Sequence, residues 1–479
     1  MSTKRCVVIG SGVAGLVSAA LATKNGYKVT VIEKSDNYGG KLGQLQLKDA
    51  YFDTGPSLCT DVKVIDSIYS KCGKNPRDYW QYEKLTEITR YFWPHDGMEY
   101  TMPASPTRIE RSMVHSLGEK PKKVHAYITK TIRAYRATSP YYLDQGMSAR
   151  LLLNPRAIVA AMRIAPLLVR TLDRRNRAYF LNTKTVQLFD RFASYSGSDP
   201  YRTPAIMGFA GMPEITDGVY RPVGGMRAIA DGLYALCRDV GVTFVWNAKV
   251  TNIQHANNRA LAVHVGKTEY VCDEVVYGGD IARLYTLLGD SKRNQTVRRS
   301  DRSTSAVVFY WHVRGTYRKF GLHNILFSAD YGREYQQLSR GEVPEDPTIY
   351  INITSKVEPS HASKDTENWF VMVNVPAGTK DVAVLAVKDK VRAKIEAMLG
   401  GYITILDEDY LSPSRLDTET GAWQGSIYGQ ATNSVGALLT RPKNYIRKPQ
   451  NIRCVGGTVH PGGGIPLAVR SAIIATDSL

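Results

Sequence analysis

Apolar positions in the first forty residues spell out a strand, a helix and a second strand. Cys6-Val-Val-Ile-Gly10 is a short apolar run ending in glycine, an Ala/Leu-rich stretch with helical character follows, and Lys28-Val-Thr-Val-Ile-Glu33 closes the unit on an acid. A second mixed region starts near Gly218. It holds a Gly-Gly turn, a helix over 226–240, the strand Val242-Thr-Phe-Val-Trp246, and Asn247-Ala-Lys-Val250-Thr-Asn-Ile253 with further strands up to Tyr277-Gly-Gly-Asp280. Alternation of period two begins with Ser305-Ala-Val-Val-Phe-Tyr-Trp-His-Val313 and returns at 348–353 and 369–375, which predicts strands of a half-buried sheet. Near the end, Asn451-Ile-Arg-Cys-Val455 is again a short strand, followed by glycines and a small-residue helix over 467–475. Residues 106–217 read as helical and rich in Arg and Tyr. Within them, 149–170 combine apolar residues with regularly placed arginines, and Pro155 and Pro166 are expected to break the segment into short helices. Such basic amphipathic helices lie in a membrane interface, or pack as core helices whose arginines snorkel outward; the patterning favours the interface.

The turn after the first strand carries chemistry. Gly10-Ser11-Gly12-Val13-Ala14-Gly15 stands between strand and helix. In such a turn the first glycine makes the bend, the second lets a pyrophosphate approach the backbone, and the third lets the helix pack on the sheet. Free N–H groups and the helix dipole favour the anion. Glu33, at the end of the second strand, is placed to accept hydrogen bonds from a ribose, and Lys34 follows it. A glycine turn alone is weak, but strand, helix and carboxylate occur here in register, which predicts a dinucleotide site.

Composition narrows the partners. The chain has 479 residues, 43% hydrophobic and 22% charged, which suits two or three globular domains. No apolar stretch is long enough to span a bilayer. The chain enters its first strand directly after Lys4 and Arg5, so no signal peptide is expected and the origin is read as cytoplasmic. Six cysteines show no C-x-x-C pair and no histidine cluster, so neither a metal site nor a disulfide framework is expected. The net charge of +18 is large. Nothing resembles a nucleic-acid module, so nucleic acid is not an expected partner; anionic lipid headgroups would attract a basic face by about 1 kcal/mol per nearby Lys or Arg.

Two further blocks say which dinucleotide. Asn37-Tyr-Gly39-Gly40-Lys41-Leu42 follows the acid, and Tyr51-Phe-Asp53-Thr-Gly55-Pro56-Ser57 comes shortly after. Nicotinamide enzymes do not usually need this second glycine turn with its basic residue. The C-terminal block reads Gly456-Gly457-Thr-Val-His460-Pro461-Gly462-Gly463-Gly464-Ile465-Pro466-Leu467-Ala468. Together these blocks resemble the bacterial phytoene desaturase-type carotenoid desaturases, over nearly the whole chain. Residues 190–201, 218–226, 322–331 and 350–356 look most like the 1-hydroxycarotenoid 3,4-desaturase branch.

The resemblance implies an α/β chain (α+β overall). Its Rossmann-like FAD-binding domain of the amine-oxidase and polyene-desaturase type would be assembled from 1–105, 218–285 and 425–479. A substrate domain of mixed sheet plus helices would take 106–217 and 286–424, with 149–170 touching the membrane. The resemblance also implies non-covalent FAD, with Val250 packing on the adenine. The substrate would be an acyclic carotenoid, the electron acceptor oxygen or a quinone, and the location cytoplasmic and peripheral to the membrane. The implied reaction is hydride transfer from an allylic carbon to flavin N5, then proton loss from the polyene cation. No catalytic acid or base is assignable. His460, beside the glycines, would accept the proton or merely order its loop, and a lone histidine favours ordering; His312, His323 and Asp190 are weaker candidates. A 1-hydroxyl would need a polar partner at the blind end of the substrate tunnel, for which the tyrosines and Asn352 are candidates. Three alternatives stay open: a carotenoid cis–trans isomerase, a lipid-carrying chaperone of the GDP-dissociation-inhibitor type, and an amine oxidase. Against the last, the terminal block offers Gly463, Gly464 and Ile465 where aromatic side chains would face the flavin.

Overall fold

The computed structural model describes residues 3–146, 153–477 and 479. Five parallel strands form the first sheet, in the order Ile452–Cys454, Glu274–Tyr277, Arg5–Ile9, Lys28–Ile32, Thr243–Val245. The opening strand, buried after Arg5, sits at its centre, as a continuous apolar run buried on both faces must. The opening helix Val13–Lys24 and the closing helix Ile465–Thr476 pack on one face of this sheet, with Arg227–Asp239 alongside. The first and last helices therefore meet on one face of the sheet.

A second sheet has seven strands, in the order Ile405–Leu411, Ser305–Arg314, Thr366–Val375, Ile349–Ile353, His323–Leu326, Glu87–Trp93, Met98–Pro103. All neighbours are antiparallel except His323–Leu326 and Glu87–Trp93. Alternation divides its faces. Val307, Phe309, Trp311, Ile351 and Val371 pack against the helix Val382–Leu399, through Val384, Val387, Val391 and Ile395. Ala306, Val308, Tyr310, Tyr350, Phe370 and Met372 face the other way and wall a cavity. Over that cavity lie the helices Pro121–Tyr142 and Pro155–Leu168 and the turns Arg191–Ser196 and Ala205–Gly211.

Two expectations need correction. Residues 87–103 were counted with the nucleotide-binding piece, but their strands hydrogen-bond into the seven-stranded sheet, because Asn324, Ile325 and Leu326 offer Arg90, Tyr91 and Phe92 a parallel partner. Pro166 does not break the amphipathic segment, whose residues 149–152 lie outside the described residues. One helix runs over Pro155–Leu168. Pro155 takes the first turn, where a missing N–H costs nothing, under the Asn154 side-chain cap. Pro166 falls in the last turn and frees only the carbonyl of Met162, a residue that is 62% exposed.

Candidate active site

Gly10, Gly12, Val13, Ala14 and Gly15 line one end of a cavity of about 1870 Å³. The glycines divide the work. A Cβ on Gly15 would lie 2.0 Å from the Gly10 carbonyl oxygen, so Gly15 is where helix and turn touch, whereas a Cβ on Gly12 would meet nothing within 4 Å. Gly12 starts the opening helix with no side-chain cap, leaving first-turn N–H groups for a ligand. Ser11 differs from expectation. It does not line the cavity; its N–H and Oγ donate to Glu33 Oε2 at 2.8 and 3.0 Å. Ser35 N–H and Oγ donate to Glu33 Oε1, both at 3.0 Å. The Ser35 hydroxyl also lies 2.7 Å from the Asn37 carbonyl, and when its one proton goes there Oε1 has a site for a further donor; Glu33 lines the cavity.

The second glycine turn is held in place by Arg227. Its guanidinium donates to the Tyr38 and Leu42 carbonyls and to Asn37 Oδ1, and stacks on Tyr38. Asp53 accepts from Met226 and Arg227 N–H, capping the Arg227–Asp239 helix and thereby fixing Gly55, Pro56 and Ser57 at the cavity wall. Gly40, Lys41 and Leu42 also line the cavity. Lys41 Nζ donates to the Ile427 carbonyl at 2.7 Å, and burial brings its pKa down to about 8. Lys34 reaches the Thr418 carbonyl at 2.8 Å, its pKa lowered by burial. Val250 lines the same end, close to Glu33 and Lys34.

Gly456, Gly457, Gly464, Ile465 and Pro466 supply the facing wall. Gly464 has φ +103 with nothing within 4 Å of a Cβ, and starts the closing helix without a side-chain cap. Gly463 makes room for an aromatic ring: its Cβ would lie 2.0 Å from Tyr428. Tyr428 therefore stands at the cavity beside the terminal glycines, where composition alone offered no aromatic. Arg441 ties this region together, donating to the carbonyls of Tyr428, Gln430, Gly457 and Val459. His460 lines the cavity, with Nε2 3.0 Å from the Gln145 carbonyl and a pKa lowered by burial. That bond suits a ring that orders its loop.

Beyond the glycine blocks the cavity turns apolar, between the sheet face and residues such as Tyr135, Ile164, Leu168, Met207 and Phe209. Polar groups interrupt it, among them the Arg470–Asp61 ion pair and a cluster around Arg191. Arg191 Nη1 donates to Tyr195 Oη at 2.8 Å, and Nη2 donates to Tyr91 Oη at 2.9 Å and lies 3.4 Å from Glu214 Oε1. Tyr195 Oη donates to Glu214 Oε2 at 2.9 Å, and Arg191 Nε has no partner among the described residues. Burial raises the Glu214 carboxyl, and Arg191 opposes the shift. Next to it, Tyr350 Oη is 2.7 Å from Ser57 Oγ, which joins this cluster to the Gly55–Ser57 wall. Asp190, His312, His323 and Asn352 are set back from the cavity; Asn352 donates to the Leu322 carbonyl. Glu214, Tyr428 and Arg441 had no motif to announce them, while Arg191, Tyr195 and Tyr350 fall in the blocks 190–201 and 350–356 with nothing there to mark them individually.

The cavity fits a dinucleotide with room left over. Two uncapped helix N-termini and two glycines with open space above them face it, while drug-sized ligands fill only about 300–1,000 Å³. Fold and cavity define a flavin-dependent oxidoreductase built on a dinucleotide-binding sheet. The chain belongs to the flavin-containing amine oxidoreductase family, which matches residues 13–479. Its cofactor is FAD, the flavin that is also a dinucleotide. A 1-hydroxycarotenoid 3,4-desaturase from Flavobacterium sp. (strain P99-3) is 36% identical over 483 residues, 99% of this chain and 98% of the relative. A hydroxyneurosporene desaturase from Rubrivivax gelatinosus is 28% identical over 497 residues, 100% of this chain and 94% of the relative. Among solved structures, an oxidoreductase from Methanosarcina mazei shares the fold, with a TM-score of 0.65 at 13% identity over 99% of each chain.

Proposed function

We propose that the protein is a carotenoid desaturase that introduces the C3–C4 double bond into an acyclic carotenoid bearing a 1-hydroxyl. The observation that carries this reading is a buried polar cluster, Arg191, Glu214 and Tyr195, that lines the cavity adjacent to the Gly55–Ser57 wall. The likeness to a 1-hydroxycarotenoid 3,4-desaturase supports the same substrate. A hydroxyl on C1 lies a few bonds from C3 and C4, so a polar anchor must stand close to the redox centre rather than at a distant blind end.

Residue roles follow from this reading. Gly12 and the helix N-terminus hold the pyrophosphate, Glu33 the ribose, and the turns around Lys41, Gly55 and Gly464 wrap the flavin. Bound FAD supplies a two-electron acceptor at N5. Tyr195, held by Arg191 and Glu214, meets the hydroxyl, and the apolar walls exclude water from the polyene and fix which carbons meet the cofactor. Electrons then pass to oxygen or a quinone.

The substrate would come from a membrane. The helix Pro155–Leu168 turns Ala157, Ala160 and Ile164 inward, with Ile164 lining the cavity, while Ile158, Val159 and Met162 are exposed beside Arg156 and Arg163. Val169, just beyond the helix, is 81% exposed. Among the described residues no helix is long and apolar enough to cross a membrane. This outer face fits a peripheral docking patch on an anionic lipid surface.

The test compares paired substrates. The hydroxylated carotenoid should exceed its unhydroxylated counterpart in kcat/KM by about tenfold or more, because the buried polar cluster is otherwise left unpaired. Efficient conversion of phytoene with hydroxylated carotenoids ignored would overturn the 3,4-desaturase assignment while leaving a desaturase.

A further inference from the structure

Desaturation removes a hydride from one carbon and a proton from its neighbour, and the proton needs an acceptor inside an apolar cavity. Strand pairing builds a candidate. His323 lies opposite Asn352 in the antiparallel pair of His323–Leu326 and Ile349–Ile353, and Tyr350 is two residues from Asn352. All three side chains therefore share the cavity-facing side of the sheet. Tyr350 lines the cavity, and its Oη is 2.7 Å from Ser57 Oγ on one side and 2.8 Å from His323 Nδ1 on the other.

The direction of this chain is fixed by Asn352. Its Nδ2 donates to the Leu322 carbonyl at 3.0 Å, which sets the amide orientation, and the same nitrogen lies 3.2 Å from His323 Nδ1. An amide nitrogen only donates, so Nδ1 accepts and the imidazole proton sits on Nε2. Tyr350 Oη must then donate to Nδ1 and can accept from Ser57 Oγ. Nε2 is buried with no partner among the described residues, so this ring is not placed for its own hydrogen-bond satisfaction. Burial and the nearby Arg191 hold His323 down to about 3, so it rests neutral and free to accept. A polyene cation is a far stronger acid than an imidazolium, so a weak base suffices.

We propose that Tyr350 is the proton acceptor of the desaturation and that His323, oriented by Asn352, draws the proton through it. The inference rests on the desaturase reading but not on the choice of carotenoid. In the step, the C–H bond next to the cation breaks and its electron pair becomes the new C=C bond. The proton goes to Tyr350 Oη as the tyrosine's own proton passes to His323 Nδ1. The hydride has already left with the two electrons accepted by FAD. Arg191 then disfavours a lasting imidazolium, so the proton returns through Tyr350 to the cavity, where the oxygen or quinone that collects the electrons takes it up.

The experiment uses the FAD-loaded protein with Tyr350→Phe, His323→Gln and the double variant. Each should keep wild-type flavin absorbance and substrate binding, and each should slow single-turnover product formation by about tenfold or more. Because one chain is cut in both places, the double variant should be no slower than either single one. Wild-type rates in Tyr350→Phe, or multiplying defects in the double variant, would overturn the relay. Nitrogen-15 spectra of the wild-type protein give a second readout that needs no variant. Nδ1 should appear unprotonated and Nε2 protonated, and the reverse tautomer would also overturn the relay. If the wild-type protein desaturates no carotenoid, it is the reading of function that fails, and the tautomer result still stands.

Discussion

Gly12 and Gly15 stand three residues apart in one turn and should respond oppositely to a single added methyl. Gly15→Ala drives a Cβ to 2.0 Å from the Gly10 oxygen, so helix or turn must shift, at about 1–3 kcal/mol; a lowered Tm in the apoprotein would register it. Gly12→Ala places its methyl in open space, so the apoprotein should melt as wild type while retaining less FAD. Glu33→Ala should also lose FAD, as read from the flavin absorbance of the purified protein, and wild-type flavin content would count against the ribose role. His323 adds a pH signature. Its folded pKa of about 3 lies below the ordinary value of about 6.5, so acid protonates the unfolded chain first, and stability falls as pH drops through that window. His323→Gln should make unfolding midpoints between pH 7 and pH 4 flatter than wild type, and an unchanged slope would contradict the buried neutral ring. The glycines and Glu33 were legible in sequence because a phosphate-binding turn dictates their spacing. Arg191, Glu214, Tyr350 and Tyr428 were not, since separate segments bring them together and no spacing records it.

At the scale of elements, alternation carried most of the information. Strands predicted near 305–313, 348–353 and 369–375 occur as Ser305–Arg314, Ile349–Ile353 and Thr366–Val375. The predicted 226–240 helix occurs as Arg227–Asp239. The strand Glu87–Trp93 was missed as a member of the second sheet because its partner at His323–Leu326 is more than two hundred residues away and parallel. Pro166 misled for a local reason: a proline in the last turn gives up one solvent-facing bond and does not end the helix. The Pro155–Leu168 helix makes the element-scale prediction. With Arg156, Arg163 and Arg170 all replaced by Glu, flotation with anionic vesicles should fall, and added salt should weaken wild-type binding. Equal flotation of both proteins would remove this helix as the docking face.

Across the whole molecule, two sheets share one cavity. The parallel sheet brings the glycine turns to one end, and the seven-stranded sheet supplies an apolar wall, with the Arg191, Tyr195 and Glu214 cluster on the helical turns beside the Gly55–Ser57 wall. That arrangement suits a long hydrocarbon held by a polar end beside a flavin, and it accounts for why neither sheet's sequence alone announced the substrate. The direct test is mass and absorption analysis of the product after the purified flavoprotein meets a single 1-hydroxylated acyclic carotenoid. The product should be lighter by two hydrogens, with its absorption shifted to longer wavelength by the new C3–C4 double bond. Unchanged mass with altered double-bond geometry would mean an isomerase, and an unaltered carotenoid would contradict the proposed activity.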